Sequence, residues 1–533
     1  MRNVELGGVV EVLIVVDLHD LQTHDAIVFE GNVSQNQGGA RTITSAEQED
    51  EDEQNRWRTH GGRVFSCLEN LPAISRPRTL RRKRIVLEFP NMTTQPQLVL
   101  NPLAEAANAT IKAENATVFE LLSERGKRFF FPAKGILAQG AEAKLKAKTA
   151  NATIGIATEN GAPMHLQVVG QYYQGLTPAE IYDYAPSFGK LDLRQAWAKK
   201  QREETPSLGQ ALTSVPIVTN ALTHGLALVG DLFLDVGDEA LSSDLMWENY
   251  NLSWETRLGA RISTYAFFDH KLTGFNLQAF TQALFARKGR KLVVALNFPN
   301  NPSGYSPTKA EAGAIVNALI AAADAGSKLV VVCDDAYYGM FFDDACEKES
   351  LFGRLAQASP NLLAVKIDGA TKEEFVWGLR VGFITYGVKG GTKALYDALE
   401  QKTGGMIRAV ISNVSMPGQS IVLKALQALD FRKQQAEKVA VLKNRAAITS
   451  VECRKAEYAD CWDVYPFNSG YFMCLKVKGV QAEVVRQKLL EAHGVGAIAL
   501  GQTELRVAFS CLSEAQIPGV FSAAAAAIRA CRA

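Results

Sequence analysis

The sequence predicts an α/β protein in which a large domain with a mostly parallel sheet, flanked by helices, is joined to a smaller α+β domain. Between residues 290 and 390, short apolar runs rich in β-branched residues alternate with stretches of helical periodicity. Strands that alternate with helices pair in parallel and are covered on both faces, so they read as continuous apolar runs. After residue 410 a long helical stretch is followed by short strands and an alanine-rich last helix.

Four apolar runs are the predicted strands of the large domain, and they are Leu292–Leu296, Leu329–Cys333, Leu362–Ile367 and Val381–Tyr386. The clearest helix between them is Thr308–Ala325, where alanine, isoleucine and leucine recur with helical spacing. In the tail, Ser420–Ser450 predicts one long helix, and strands are expected near Ser469–Val477 and Glu504–Phe509.

Residues 1–91 differ from the rest of the chain. An acidic run, Glu47–Glu53, and a basic run, Arg76–Arg84, lie outside any convincing amphipathic period, which is typical of solvated, disordered segments. We expect no folded domain here and expect the natural product to begin at Met92, with the upstream residues an over-long translation. The alternative is a regulatory or nucleic-acid-binding arm built on the basic run, for which nine residues are weak support.

The whole chain of 533 residues is long enough for two or three domains. We expect an N-terminal arm with part of the small domain at 92–165, the large domain at 166–409, and the C-terminal small domain at 410–533.

Composition excludes several classes of protein. A formal net charge of +1 gives no reason to expect a nucleic-acid or anionic-membrane partner. Eight cysteines without a Cys-x-x-Cys pair favour free thiols in a reducing cytoplasm over disulfides or a zinc site. No apolar run approaches the roughly 18 residues of a membrane span. We therefore expect a cytoplasmic protein without a metal site.

Three polar motifs follow successive predicted strands. Asn301 begins Asn-Pro-Ser-Gly, Asp334 ends the next strand in Asp-Asp-Ala-Tyr, and Lys372 follows a third strand in a glycine-containing turn. In open parallel sheets, ligands bind beyond the carboxyl ends of the strands. We therefore expect these three polar groups to face one crevice.

In this order, the segments Asn301–Gly304, Asp334–Tyr337 and Asp368–Gly382 resemble the pyridoxal-phosphate (PLP) aminotransferases of class I/II, which have fold type I. The motifs are closest to the aspartate/aromatic subgroup, and the resemblance spans about residues 150–512. It implies that the large domain binds PLP and that the chain forms a homodimer with shared active sites.

The resemblance implies a role for each motif residue. Lys372 would hold the cofactor's aldehyde and move a proton, Asp334 would keep the pyridine nitrogen protonated, and Tyr337 would donate to the phenolic oxygen; these are the predicted catalytic residues. Asn301 would lie beside the same oxygen. Arg380, eight residues after the lysine, would grip the phosphate with its planar donors.

A turn that opens a helix is the predicted phosphate cradle, because free N–H groups at a helix start attract anions. The backbone amides of Leu222 and Thr223 and the Thr223 hydroxyl are the candidate donors. The segment departs from the family in having Ala221 and Leu222 where glycine or small polar residues are common. Gly369 stands where many relatives place a serine, so we expect one phosphate hydrogen bond to be missing.

Two aromatic residues extend the resemblance. Trp247 falls where relatives place the aromatic that stacks on the cofactor ring, with Tyr250 as the second candidate; a core tryptophan is the alternative. Tyr184 resembles the tyrosine that reaches the phosphate in the neighbouring subunit, which implies the homodimer.

Substrate recognition is assigned to two arginines and to Asn301. Arg506 matches the family's arginine for the substrate α-carboxylate, which calls for a bidentate donor. Arg408 resembles the arginine that crosses from the partner subunit to a distal carboxylate, although Val414 and Ser415 replace the two prolines that usually follow. A surface residue or an interface salt bridge is the alternative for Arg408.

The function that this resemblance implies is transamination between an amino acid (aspartate, glutamate or aromatic) and a 2-oxo acid such as 2-oxoglutarate. Another reaction on the same fold, such as decarboxylation or elimination, stays open, because the same residues serve it. A PLP-binding regulator without turnover is the second alternative, but residues 1–91 show no helix-turn-helix pattern. The third is an α/β protein with chance motifs.

Overall fold

The computed structural model describes residues 100–131 and 135–532 and, before residue 100, only the backbone of five short strands. The chain separates into two compact units, residues 1–97 and 98–533. The strands of the first unit are β1 Asn3–Leu6, β2 Val9–Ile14, β3 Ile27–Val28, β4 Asn32–Gln35 and β5 Arg41–Thr44. β2 pairs antiparallel with β1 and β3, and β4 pairs antiparallel with β5. The acidic and basic runs predicted to be disordered lie outside the described residues.

The second unit begins with short elements. They are α1 Pro102–Glu114, α2 Ala116–Leu121, α3 Glu124–Arg128, α4 Ile136–Lys146, β6 Ala150–Asn151, β7 Thr158–Glu159, β8 Ala162–Pro163, α5 Gln167–Gln171 and α6 Pro178–Tyr182. The side chains of Asn101, Asn115 and Ser123 accept hydrogen bonds from backbone N–H groups at the starts of α1, α2 and α3. Capping by these residues explains why three short helices follow one another so closely.

A seven-stranded sheet forms the centre of the molecule. Its strands are β9 Ile217–Asn220, β10 Glu239–Ser243, β11 Arg261–Tyr265, β12 Lys291–Asn297, β13 Lys328–Asp334, β14 Leu362–Gly369 and β15 Val381–Val388. The order across the sheet is β11-β10-β12-β13-β14-β15-β9. Every neighbouring pair is parallel except the two that involve β15. The predicted mostly parallel sheet and its four predicted strands are therefore confirmed.

Helices cover both faces of this sheet. They are α7 Leu191–Glu204, α8 Ala221–Phe233, α9 Leu277–Phe285, α10 Lys309–Asp324, α11 Phe352–Leu355, α12 Ala370–Glu373, α13 Lys393–Val410 and α14 Met416–Gln427, with a π-helical turn at Asn251–Thr256. Val293 and Val330 pack in a core with residues of α8, whereas their neighbours Leu292 and Leu329 pack in a second core with α9 and α10. The strands therefore bury alternate side chains on opposite faces, as a continuous apolar run requires.

The predicted helix Thr308–Ala325 is α10, and its start follows from local chemistry. Thr308 accepts from the backbone N–H of Glu311 at 3.2 Å, and Glu311 returns a bond by accepting from the N–H of Thr308 at 2.7 Å. This reciprocal capping box satisfies donors that the first turn leaves open.

The single long helix predicted over Ser420–Ser450 is wrong. The structure has α14 and then α15 Phe431–Glu452, separated by Ala428–Asp430. α14 packs against α6 and α7, whereas α15 packs against α17 Gln516–Arg532. The chain breaks because the two halves have different neighbours, and Leu429 at the break is fully exposed.

A four-stranded antiparallel sheet follows, with strand order β16-β17-β20-β19. Its strands are β16 Trp462–Val464, β17 Met473–Val477, β19 Ile498–Leu500 and β20 Glu504–Val507, and α16 Ala482–His493 and β18 Val495–Gly496 lie between them in the chain. Both tail strands and the alanine-rich helix α17 were predicted. β18 pairs with β6, which joins residues 150–151 to this sheet region. The predicted domain boundaries stay a prediction.

Single-turn 3₁₀ helices complete the described chain, at Pro206–Leu208, Trp377–Leu379, Ala456–Tyr458 and Phe509–Cys511. Among the helices that the structure describes, none has both the length and the apolar composition of a membrane-spanning helix.

Candidate active site

The carboxyl ends of β12, β13 and β14 lie side by side, and the loops that follow them carry the predicted motif residues. Asn297, the last residue of β12, is in register with Asp334, the last residue of β13. Its side-chain amide donates to the Asp334 carbonyl at 2.8 Å, and its amide oxygen accepts from the backbone N–H of Asn301 at 2.7 Å. Asn297, which the sequence analysis did not identify, therefore joins two of the motifs.

Lys372 lies in the one-turn helix α12, directly after β14. Its Nζ stands 5.1 Å from the centroid of the Tyr337 ring, and its backbone carbonyl accepts from the Tyr471 hydroxyl at 3.2 Å. Burial lowers the pKa of the Lys372 amine from 10.5 to about 8; nearby Asp334 opposes this shift and Arg380 adds to it. The amine therefore becomes uncharged much closer to neutral pH than an exposed lysine would.

Asp334 is 2% exposed, and its two carboxylate oxygens have different surroundings. Oδ2 accepts from the Tyr250 hydroxyl, whereas Oδ1 is buried without a hydrogen-bond partner among the described residues. Burial raises the pKa of Asp334 to about 6, against the opposing effects of the Tyr250 hydrogen bond and the Lys372 charge. A buried acceptor without a partner is costly, and it calls for a donor from outside the chain.

A protonated pyridine nitrogen is such a donor. The unpartnered oxygen of Asp334 therefore fits the ring nitrogen of PLP. The amine of Lys372 lies near Asp334, and its pKa of about 8 provides a larger uncharged fraction near neutral pH than an ordinary lysine has; the uncharged form is the one that attaches to an aldehyde. The residues present therefore fit the cofactor that the motifs imply.

Arg506 is buried on β20 beside Asn301. It donates from Nη1 to the Asn301 Oδ1 at 3.0 Å and from Nη2 to the Thr153 carbonyl at 2.9 Å, and its guanidinium lies 4.3 Å from the centroid of the Phe472 ring. Its Nε has no partner among the described residues. Burial lowers the pKa of the guanidinium, but not enough to discharge it at neutral pH. A buried cation without a carboxylate partner suits a negatively charged ligand.

Tyr337 is buried and lies close to both Lys372 and Arg506. Its ring meets Tyr471 and Phe472 edge-on, at centroid distances of 5.1 Å and 5.5 Å, and burial raises the pKa of its hydroxyl. A Cβ added to Gly155 would lie 3.7 Å from that hydroxyl oxygen. Gly155 thus lies beside Tyr337, a position that the sequence motifs missed because tertiary contacts bring its segment here, among them the pairing of β6 with β18 and the bond from Arg506 to the Thr153 carbonyl.

The predicted phosphate cradle is the start of α8, and its first N–H groups have no side-chain cap. Ala221 has a φ of +57°, a left-handed conformation that explains why glycine is common at this position. Its N–H donates to the Arg380 carbonyl at 3.0 Å, so the cradle and Arg380 are adjacent. Leu222 is buried and Thr223 is half-buried, whereas Arg380 is exposed and donates to the Trp377 carbonyl at 3.3 Å. Open amides beside a guanidinium form a site for an anion.

Gly369 is a glycine because of packing. A Cβ at this position would lie 2.6 Å from the Cα of Gly382 and 2.8 Å from the carbonyl oxygen of Val381. Gly369 and Gly382 are paired across β14 and β15, so their backbones approach too closely for a side chain. The serine of many relatives does not fit here, and the missing phosphate hydrogen bond stays a prediction.

The remaining predicted residues lie towards the surface. Trp247 is half-buried, with its ring edge-on to Tyr250 at 6.0 Å. Tyr184 is 90% exposed, and Arg408 is exposed and donates to the Ser412 hydroxyl at 2.5 Å. Neither Tyr184 nor Arg408 forms a hydrogen bond to the other site residues among the described residues. Their assignment to a partner's active site stays a prediction.

Charged side chains of α7 and of residues 373–374 form a buried cluster that supports α12. Lys200 on α7 lies 2.5 Å from Glu373 and 3.6 Å from Glu374, the two residues after Lys372, and 2.8 Å from Glu204. Burial raises the pKa of Glu374 to about 7 although Lys200 opposes the shift. Sequence analysis missed Lys200, although helical spacing places it on the same face of α7 as buried Leu193.

Comparison with known proteins gives three findings. The sequence profile described as "Aminotransferase class I and II" matches residues 176–523. The chain is 26% identical over 321 residues to an arginine–pyruvate transaminase of Pseudomonas aeruginosa, covering 59% of this chain and 73% of that protein. It is 23% identical over 270 residues to the cytoplasmic aspartate aminotransferase of Saccharomyces cerevisiae, covering 49% and 61%.

The fold is also that of solved aminotransferases. A crystal structure of an aminotransferase from Anaerococcus prevotii superposes with a TM-score of 0.68 at 21% identity, covering 76% of this chain and 99% of that chain.

Removing the central cation of the cluster tests its role. Lys200→Met leaves Glu373 and Glu374 buried without their cation and should lower the free energy of unfolding by about 3–5 kcal/mol. The deficit should shrink as the pH is lowered, because protonated carboxyls need no cation. Chemical denaturation measures both effects. Lys199→Met removes the neighbouring exposed lysine and should change the stability little; equal stability of the two variants would show that the cluster does not support α12.

The packing of Gly369 gives a second test. Gly369→Ser should lower the melting temperature and weaken PLP binding, since the new side chain forces β14 and β15 apart beside the cradle. Thermal denaturation and cofactor titration measure these effects, with Gly519→Ser, at an exposed position of α17 where an added Cβ meets no neighbour, as the control for adding a serine. Tighter PLP binding by Gly369→Ser would instead mean that the serine fits and supplies the missing hydrogen bond.

Proposed function

From the premise that the chain belongs to the class I and II aminotransferases, we propose that it transfers the amino group of aspartate, glutamate or an aromatic amino acid to a 2-oxo acid such as 2-oxoglutarate. The chain is an aminotransferase that uses PLP and acts on small molecules. Family membership favours transamination over the decarboxylase, lyase and regulator alternatives.

One observation carries the assignment of the site. A half-buried lysine, whose amine has a pKa of about 8 because it is desolvated, lies close to a buried aspartate that has one oxygen without a partner among the described residues. This pair supplies the attachment point and the counter-charge that PLP needs.

Bound PLP supplies an electron sink that makes the Cα proton of an amino acid acidic. The residues of the chain do the rest. Asp334 would accept from the ring nitrogen through Oδ1, and Tyr337 would donate to the phenolic oxygen. The N–H groups that open α8, together with Arg380, would hold the phosphate. Lys372, once discharged, takes and returns the proton at its Nζ.

Recognition of the substrate falls to the cations of the site. Arg506 receives the α-carboxylate, and Asn301, which already bonds to Arg506 at 3.0 Å, holds that guanidinium in place. Arg408 receives a distal carboxylate in the partner's active site. Its exposure in the single chain is what a residue that acts across a dimer interface needs.

A basic amino acid is the second candidate substrate, with pyruvate as acceptor. The arginine–pyruvate transaminase of Pseudomonas aeruginosa is 26% identical over 321 residues. The exposed Glu248 follows Trp247, and its carboxylate is one of the charges that oppose the lowering of the Arg506 pKa by burial. A carboxylate near the α-carboxylate pocket would attract a cationic side chain, whereas Arg408 would attract an anionic one.

The dimer and the location complete the proposal. We expect a homodimer whose two sites share Tyr184 and Arg408, and we expect it in the cytoplasm, where the yeast relative is placed by its name.

The pKa of Lys372 gives a prediction for cofactor attachment. The rate at which cofactor-free enzyme attaches PLP covalently should rise with pH through about 8, because only the uncharged amine attacks the aldehyde. Stopped-flow absorbance measures this rate. Lys372→Ala should show neither attachment nor transamination, while Lys389→Ala, which removes an exposed lysine, should behave as wild type. Transamination by Lys372→Ala at the wild-type rate would end the assignment.

The preference among amino acids distinguishes the two proposed substrate classes, which are dicarboxylic or aromatic amino acids and basic amino acids. Arg408→Ala should raise the KM for aspartate and glutamate about tenfold and spare aromatic substrates, since only the distal carboxylate loses its partner. Arg506→Ala should lower kcat/KM for every amino acid by roughly 30-fold or more.

The measurement is a panel of amino acids with 2-oxoglutarate and with pyruvate, and Glu248→Gln is included. An equal effect of Arg408→Ala on aspartate and phenylalanine would remove its role in substrate choice. Selective loss of arginine turnover in Glu248→Gln would establish the basic substrate instead.

A further inference from the structure

Tyr250 is a buried residue that the sequence motifs offered only as the second candidate for stacking on the cofactor ring. It is 1% exposed and lies directly before the π-helical turn, three residues after Trp247. Instead of presenting its ring to the crevice, it donates its hydroxyl to Oδ2 of Asp334.

The ring of Tyr250 is held from the opposite side. It stacks on Trp254 at 5.1 Å with an angle of 6° between the planes. The indole N–H of Trp254 donates to the Leu226 carbonyl of α8 at 3.0 Å. Through Trp254, the position of the Tyr250 ring is therefore fixed by α8, the helix whose start is the predicted phosphate cradle.

This contact selects which oxygen of Asp334 stays free. A carboxylate on a single-bonded side chain rotates unless a donor fixes one of its oxygens. The hydroxyl occupies Oδ2, so Oδ1 is the oxygen without a partner. Among the described residues, the other charged or titratable groups near this carboxylate are Lys372, Asp335, Tyr337 and Cys333.

We propose that Tyr250 is a positioning residue of the active site, which fixes the Asp334 carboxylate so that its free oxygen is available to the ring nitrogen of PLP. The inference rests on the proposed function, because it takes Asp334 as the partner of that nitrogen.

The hydroxyl also acts on the charge of Asp334. A donor stabilises the ionised carboxylate, and burial favours the protonated form. The balance leaves the pKa of Asp334 at about 6 with Tyr250 in place. Without the hydroxyl the pKa should rise, so that at neutral pH a larger fraction of Asp334 carries a proton and cannot bind a protonated nitrogen as a counter-ion.

The experiment is an equilibrium titration of cofactor-free Tyr250→Phe with PLP across a pH series, which needs no turnover. The phenylalanine keeps the ring on Trp254 and removes only the hydroxyl. We expect the Kd for PLP to rise about tenfold at neutral pH, and the pH at which affinity is half lost to move upwards by about one unit. Wild-type affinity and pH dependence would overturn the proposal.

Tyr305→Phe is the matched control. Tyr305 is also buried, and it donates its hydroxyl to the Glu311 carboxylate at 2.7 Å, at the start of α10. Its variant loses the same kind of bond, so it should lose stability but keep the PLP affinity and its pH dependence. Equal shifts in both variants would mean that Tyr250 matters only for stability.

Two further variants keep the test decisive. If Asp334→Asn binds PLP as tightly as wild type, the proposed function itself fails; if only Tyr250→Phe does so, only the positioning role fails. Should Tyr250→Phe not fold, 3-fluorotyrosine at position 250 keeps the ring and donates more strongly. It should then move the pH dependence downwards, and no shift would overturn the proposal.

Discussion

The Lys372 amine and the Asp334 carboxylate, two groups of opposite charge, are desolvated close to one another, and the rest of the site is arranged around this pair. Burial lowers the pKa of Lys372 to about 8 and raises the pKa of Asp334 to about 6. Both groups are therefore charged together only between these two values. The chemistry needs the lysine uncharged and the aspartate ionised, and burial together with one hydroxyl donor brings both conditions close to neutral pH.

The backbone around this pair is held by contacts that carry no chemistry themselves. Asn297 joins the loops after β12 and β13, and the paired glycines 369 and 382 let β14 and β15 approach beside the cradle. Next to Lys372 in the chain, Glu373 and Glu374 share the ammonium of Lys200 with a third carboxylate, that of Glu204. The contacts of Asn297 with Asp334 and of Lys200 with Glu373 join elements distant in sequence, so the geometry of the crevice depends on more than its own loops.

The sequence was sufficient for four of the seven strands of the sheet, because apolar runs buried on both faces leave a continuous pattern, and for the positions of the motifs that follow those strands. It failed where the deciding contact is tertiary. Ala428–Asp430 contains no glycine or proline, so the break between α14 and α15 left no local trace. Lys200 and Tyr250 have ordinary neighbours in the sequence. Their partners, Glu373 and Asp334, lie 173 and 84 positions away.

The bare oxygen of Asp334 has a consequence for the lifetime of the protein. Oδ1 of Asp334 is a buried acceptor without a hydrogen-bond partner among the described residues, and a bound ligand that donates to it would remove this penalty from the native state alone. Ligand binding of this kind is linked to unfolding, so the vitamin supplies folding free energy as well as chemistry. In a cell short of vitamin B6, this enzyme would then be inactive and would also be lost to denaturation and proteolysis.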